Sequence, residues 1–304
     1  CYGRSKREVA DFVRYLGEDR RSGPGDWLIA ERDGVAVGTA TVLKQTMWVR
    51  GGKAACQGVA FVGTLKTHRR RRAGDEAGIG TVLMREVLRR GRERGDVVSA
   101  LMPFRGSYYD HFGYGIVERR ADWTIPLSIM PAGSFDAVRF YEPARDAEAL
   151  IKCRQRIAQR GQADIERTAA GWEHYLRNAD EAFIVVDREN DGPVRGWMTF
   201  EHLHDAAGPD TIKAWFDTGY DDIETLKRFL HFLGSLRDQY SFARMDLSRD
   251  LPLNLLLKEA QMTHRGNRNH PTAEMRPYTR MQVRILDHIK LLSAMTLASS
   301  HRGR

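Results

Sequence analysis

Apolar residues along this chain switch between two spacings. In residues 4–16, Val9, Phe12, Val13 and Leu16 recur at helical intervals and predict an amphipathic helix. Residues 22–26 (SGPGD) form a turn by composition. Residues 27–30 and 35–43 then read as two strands around the hairpin turn 31–34 (ERDG). Residues 54–64 are apolar and β-rich, the pattern of a third, buried strand. Ile79, Val82, Leu83 and Val87 mark one face of a helix that runs to Arg94. Gly95-Asp96 ends it, and residues 97–102 are a further strand. The order helix, hairpin, strand, loop, helix, strand predicts a mixed α/β sheet with a loop-to-helix turn at its centre.

Residues 131–134 resemble a linker, and similar patterning resumes after them. Helices are predicted over 146–160 and 168–178, and strands over 183–187 and 194–202 around a turn at 189–192. A strand at 212–216, a helix at 223–238 and a strand at 243–247 follow. The two halves repeat one architecture although their sequences are scarcely alike. Residues 264–279 are polar, and 281–292 are amphipathic again. The expected class is therefore α/β (α+β), with two tandem units, each a mixed sheet flanked by helices. The expected boundaries are 1–130 and 131–280, with 281–304 a linker or the start of a truncated further domain.

Composition narrows the function classes. The 304 residues are 42% hydrophobic and 29% charged, which suits a globular chain of about two domains. No apolar run reaches the roughly 18 residues of a membrane span. Three widely spaced cysteines, Cys1, Cys56 and Cys153, make neither a disulfide framework nor a metal-ligand pair, so a reducing cytoplasm is the simpler location. A first residue that is not Met points to a trimmed or partial chain. The net charge of +8 favours an acidic partner: nucleic acid, a membrane surface or a phosphorylated cosubstrate.

The basic residues concentrate in one place. Residues 67–84 (THRRRRAGDEAGIGTVLM) hold four consecutive arginines, then Gly78-Ile79-Gly80 and an apolar helical run. Three readings are open. The run can be a solvated face, a nucleic-acid patch, or one half of a phosphate cradle completed by a glycine-started helix. Residues 65–94 lack aromatic side chains that would stack on bases, which speaks against the second. His202, His204 and Asp205 sit close in sequence, but two ligands and an aspartate at a strand end make no recognised metal site, and none is expected.

Residues 62–71 (VGTLKTHRRR), then Gly78-Ile79-Gly80 and Leu83-Met84, resemble the acetyl-CoA motif of the GNAT N-acetyltransferases. Leu101-Met102-Pro103 and residues 108–115 (YYDHFGYG) are similar to the corresponding stretch of the Eis-like (enhanced intracellular survival) branch. The resemblance covers most of residues 27–130, and the second unit and residues 281–287 also resemble that branch. It implies an acetyl-CoA-dependent enzyme with a second, degenerate GNAT-like domain. It also implies that the family's opening strand and C-terminal sterol-carrier-protein-like domain are missing from this chain. By position, Val62 and Thr64 would meet the pantetheine arm through their backbone. Arg69, Arg70 and Arg71 with Gly78, Ile79 and Gly80 would hold the pyrophosphate. Tyr109 falls on the branch's general acid, a role a phenol suits because its ordinary pKa lies above that of a thiol.

The implied function is acetyl transfer to a primary amine on a small molecule or peptide, in a protein that can self-associate. The alternative is a non-catalytic module that binds an acyl-CoA or a partner. The family loop passes straight from arginines to glycines, whereas residues 72–77 (RAGDEA) intervene here. That insertion bulges outward, or Gly74 shares the cradle, or its two acids weaken the site. The general base is left open. The loop at 218–222 (TGYDD) is acidic where the first is basic, so no cofactor is expected in the second unit.

Overall fold

The computed structural model describes residues 6–18, 20–69, 74–178, 183–204, 208–214, 217–258 and 271–295. In chain order they form α1 (Lys6–Glu18), β1 (Trp27–Arg32), β2 (Val35–Val49), β3 (Gly52–Thr64), α2 (Ile79–Arg94), β4 (Val98–Leu101), α3 (Gly106–Asp110) and β5 (Gly115–Ile116). Next come β6 (Arg119–Pro126), β7 (Val138–Phe140), α4 (Pro143–Arg160), β8 (Gln162–Ile165) and α5 (Ala169–Asn178). Then follow β9 (Phe183–Asp187), β10 (Gly196–Leu203), β11 (Thr211–Ala214), β12 (Gly219–Tyr220), α6 (Ile223–Ser235), β13 (Phe242–Ser248) and β14 (Glu274–Thr279). The last are β15 (Gln282–Ile285) and α7 (His288–Ala294).

They divide into two compact units, one of residues 1–118, 159–175 and 280–304, the other of 119–158 and 176–279. The first sheet runs β1-β2-β3-β4-β15-β5, with β8 also on β2, and the second runs β14-β6-β13-β11-β10-β9-β7, with β12 on β10. The chain is thus divided differently from the expected 1–130, 131–280 and 281–304. β6 lies antiparallel between β13 and β14 of the second sheet. β15 lies antiparallel between β4 and β5 of the first. β6 is the first strand of the second unit's own segment, whereas the first sheet regains two later strands, β8 on β2 and β15 between β4 and β5. The expected linker at 131–134 follows Leu127, Ile129 and Met130, all buried in the second unit's core.

In the first unit, the register is set by two tight turns. Asp33 and Gly34 both have positive φ, and so do Arg50 and Gly51, the geometry of two-residue hairpin loops. α2 buries Ile79, Leu83, Met84, Val87, Leu88 and Gly91, a stripe at helical spacing. Val82, read as part of that face, is instead exposed. The helix lies tight on the sheet at two glycines. A Cβ on Gly38 would sit 2.8 Å from Ile79 Cγ2, and one on Gly91 would sit 2.5 Å from Gln57 Nε2. Gly95 ends the helix in the left-handed conformation, its N–H bonded to Arg92 and Gly91 carbonyls. Truncating Leu83 or Met84 to Ala should cost about 2–5 kcal/mol, as for other buried aliphatic side chains.

The second unit has its own core. Trp123 and Ile125 of β6, Met198 of β10, Ile212 of β11 and Met245 of β13 pack against Leu226, Phe229, Leu230 and Leu233 of α6. Two fully buried acids are held by guanidinium groups: Asp146 by Arg139, Arg145 and Arg188, and Asp187 by Arg228. Among the described residues no helix is long and apolar enough to cross a membrane.

Candidate functional site

β3 and β4 run parallel, paired from Cys56–Val98 to Val59–Leu101. There β4 ends, while β3 continues to Thr64 against β2 alone. The two strands therefore part at Val59 and Leu101. No described strand lies on that edge of residues 60–64, which is where an extended, amide-bearing ligand can add. The parting coincides with a bulge. Phe61 has φ 51°, the β2–β3 register shifts between Thr39 and Thr41, and Thr39 Oγ1 donates to the Phe61 carbonyl at 2.9 Å. Val62 and Thr64, both half-buried, follow the bulge.

α2 begins at the end of this strand's loop. Gly78 is its N-cap residue and brings no side-chain cap. Its carbonyl accepts from Thr81 and Val82, while Ile79 and Gly80 stand in the first turn, whose N–H groups have no carbonyl ahead of them in the helix. A Cβ on Gly78 would meet nothing within 4 Å. A Cβ on Gly80 would fall 2.6 Å from the Tyr108 hydroxyl and 3.9 Å from Thr64 Oγ1. Thr64, Gly78 and Gly80 are thus brought together, with Tyr108, at an open helix start that carries partial positive charge. The Ile79 side chain is buried against Gly38, so only its backbone is offered. Arg69 is exposed just ahead of the loop, and Arg70 and Arg71 lie outside the described residues.

The insertion has a partner. Asp75 receives the Arg32 guanidinium at 2.8 Å, and both side chains are largely covered, 23% and 20% exposed. Glu76 is exposed, and Gly74 has φ 89° with open space where a Cβ would stand.

Beyond β4 the chain turns through α3, which carries Tyr108 and Tyr109. Tyr109 is buried, with Phe104, Tyr108 and Tyr114 edge-on to its ring. Burial, and then the neighbouring Tyr108, pushes its phenol up to about 12. Tyr114 is also pushed up to about 12, by burial first, but it is tied into the core. Gln57 Nε2 donates to the Val87 carbonyl and Gln57 Oε1 accepts from Ser99 Oγ, so the Tyr114 hydroxyl donates to Ser99.

Two side chains of β15 hold the α3 segment. Gln282, 2% exposed, donates from Nε2 to Asp110 Oδ1 at 2.9 Å, and Arg284 donates to the Phe112 carbonyl. These two residues, Arg32 and Tyr108 were not anticipated from sequence. Nor was the aromatic wall beside the bulge, where Phe61 stacks on Trp27 at 5.3 Å and meets Phe12 edge-on at 5.6 Å.

In the second unit the His202 ring stacks on Tyr240 and bonds its hydroxyl, His204 pairs with Asp210, and Asp205 lies outside the described residues. No group of three or more His, Cys, Asp or Glu side chains with metal-holding geometry occurs among the described residues.

Two family models match, both described as an acetyltransferase (GNAT) domain, over residues 1–117 and 164–285. An uncharacterized N-acetyltransferase of Streptomyces avermitilis is 29% identical over 225 residues, 67% of this chain, and the chain spans only 50% of that relative's length. In fold, the chain is similar to a GCN5-related N-acetyltransferase from Anabaena variabilis, with TM-score 0.76 and 20% identity over 96% of this chain and 74% of that one. It is also similar to Eis1 from Mycobacterium abscessus, with TM-score 0.70 and 21% identity over 97% and 75%. With both matches carried by sheets of the same design, the chain belongs to the GNAT N-acetyltransferases and holds two GNAT domains in tandem.

Proposed function

We propose that the first unit transfers an acetyl group from acetyl-CoA to a primary amine by direct attack on the thioester. The observation that carries this reading is the parting of β3 and β4 after Val59–Leu101. A glycine-started helix follows the one strand and the tyrosines of α3 follow the other. The backbone of Val62 and Thr64 takes the pantetheine arm along the strand edge. Arg69, Arg70 and Arg71, with the N–H groups at Gly78, Ile79 and Gly80, hold the pyrophosphate. Acetyl-CoA supplies the activated acetyl group and a thiolate leaving group. As the amine nitrogen bonds to the carbonyl carbon and the C–S bond breaks, Tyr109 gives its phenolic proton to the sulfur; the nitrogen's surplus proton leaves to solvent, and the phenolate takes one back, so the products are the neutral amide and free thiol. A phenol held near 12 is fully protonated at neutral pH, as this role requires.

Isothermal titration of the chain with acetyl-CoA tests the reading, and no binding at millimolar concentration removes it. Turnover is then measured on a panel of polyamines, aminoglycosides and lysine peptides. Tyr109→Phe should lower it about 10²-fold or more, the usual contribution of a general acid, with affinity for acetyl-CoA kept. Tyr108→Phe should alter affinity more than turnover, because its hydroxyl lies at Gly80. Equal loss of turnover and affinity in Tyr109→Phe points to packing instead.

A further inference from the structure

An aspartate three residues ahead of the open helix start is a liability for any phosphate ligand. Asp75 occupies that place, in the RAGDEA insertion. A carboxylate there is attracted to the same first-turn N–H groups that a pyrophosphate needs, and it repels the phosphate itself. Arg32 answers both problems. It is the last residue of β1, paired with Val35 across the Asp33-Gly34 turn. That turn lies at the same end of the sheet as the loop, since Gly38 pairs with Thr64 and Leu65 N–H donates to the Val37 carbonyl. From this fixed strand end the guanidinium reaches Asp75 Oδ2 at 2.8 Å.

We propose that Arg32 is a positioning residue for the acetyl-donor site. By pairing with Asp75, it neutralises the insertion's carboxylate and holds it off the start of α2, leaving the helix N-terminus to the pyrophosphate. The inference rests on the acetyl-CoA reading above and extends it to a residue outside the family motif. It also assigns the insertion a role: the loop is anchored to the β1–β2 hairpin, and its acid is a controlled charge.

The test is titration of the full chain with acetyl-CoA at low and high salt, in Arg32→Ala, Arg32→Lys, Asp75→Asn and the Arg32→Ala/Asp75→Asn double variant. Arg32→Ala should bind about tenfold more weakly at low salt, because it removes the guanidinium that stands 2.8 Å from the Asp75 carboxylate. Much of that loss should disappear at high salt, where exposed charges are screened. Arg32→Lys should recover part of it. Asp75→Asn should bind at least as tightly as the parent, and the double variant should match Asp75→Asn within about twofold, because without the acid Arg32 has nothing to neutralise. A thermal melt of each variant separates folding loss from binding loss.

A double variant as weak as Arg32→Ala overturns the inference and makes Arg32 a direct ligand or a structural residue. Unchanged binding in Arg32→Ala overturns it as well. If the parent chain itself binds no acetyl-CoA, the underlying reading falls and takes this inference with it.

Discussion

The two units share a parallel strand pair joined through a helix, yet they treat the start of that helix in opposite ways. In the first, α2 starts at Gly78 with no side-chain cap. In the second, α6 starts at Asp222, whose carboxylate accepts from the Thr225 N–H at 2.8 Å and from the Thr225 hydroxyl at 2.9 Å. That bond holds the Asp222 carboxyl below its ordinary range. The preceding Asp221 is paired with Arg156. The second helix caps one of its own first-turn donors with a carboxylate. The first leaves its donors uncapped by side chains, at a cost of only about 0.3 kcal/mol, because the residue there is glycine. The same scaffold thus starts its helix at a bare glycine in one copy and at an aspartate cap in the other, the difference that the proposed acetyl-donor site turns on.

Moving the second unit's cap into the first should have the largest effect on binding. Gly78 has φ −68° and ψ 153°, a conformation an aspartate adopts freely, and open space awaits its side chain. Gly78→Asp should therefore fold, and gain about 0.3 kcal/mol in denaturant unfolding from the new cap. Its affinity for acetyl-CoA should fall about a hundredfold, because the carboxylate takes up first-turn donors and repels the pyrophosphate. Titration and urea melts read both outcomes. A variant that is more stable and binds equally well would show that α2 does not hold the phosphates.

Much of this scaffold was legible in the sequence, and the parts that were not share a cause. The ERDG turn was readable because Gly34 takes positive φ at no cost. The turn at Arg50-Gly51 was not, since Arg50 adopts φ 47° against its usual preference, so β2 runs to Val49 rather than stopping at residue 43. β6 shows plain alternation at Ala121, Trp123 and Ile125, but nothing local says which sheet it joins. The glycines of the helix start were visible as glycines, although Gly78 has an ordinary backbone and Gly80 is required by the Tyr108 hydroxyl rather than by its φ. Arg32 and Gln282 were not, because their partners lie 43 and 172 residues away and no spacing encodes such pairs.

Gln282 marks a second difference, since the first sheet regains β15 late in the chain and that strand holds the segment of the proposed acid. Gln282→Ala removes the amide that holds Asp110, next to Tyr109. Turnover should fall about tenfold through misplacement of the phenol, with acetyl-CoA affinity within about twofold of the parent. Gln282→Asn tests whether a shorter amide restores it. Loss of affinity and turnover together would reduce β15 to a structural strand. In the second unit, Asp222→Ala should be the mirror image of Gly78→Asp. It loses about 1 kcal/mol of stability in the urea melt and leaves acetyl-CoA affinity unchanged.

The alkaline side of the pH profile should be flat. Burial raises the Tyr109 phenol from 10 to about 12 in the folded chain. The neutral form is the one favoured by burial, so its contribution to stability is fully present below pH 10 and is lost as pH rises toward 12. An acid held this way keeps its proton through the range in which an ordinary tyrosine would be half ionised. Turnover should therefore rise as the acceptor amine loses its proton and then stay level to about pH 10, with no descending limb from Tyr109. A fall centred near pH 10, absent from Tyr109→Phe, would mean that the phenol is open to water during turnover and that the buried ring rearranges when acetyl-CoA binds.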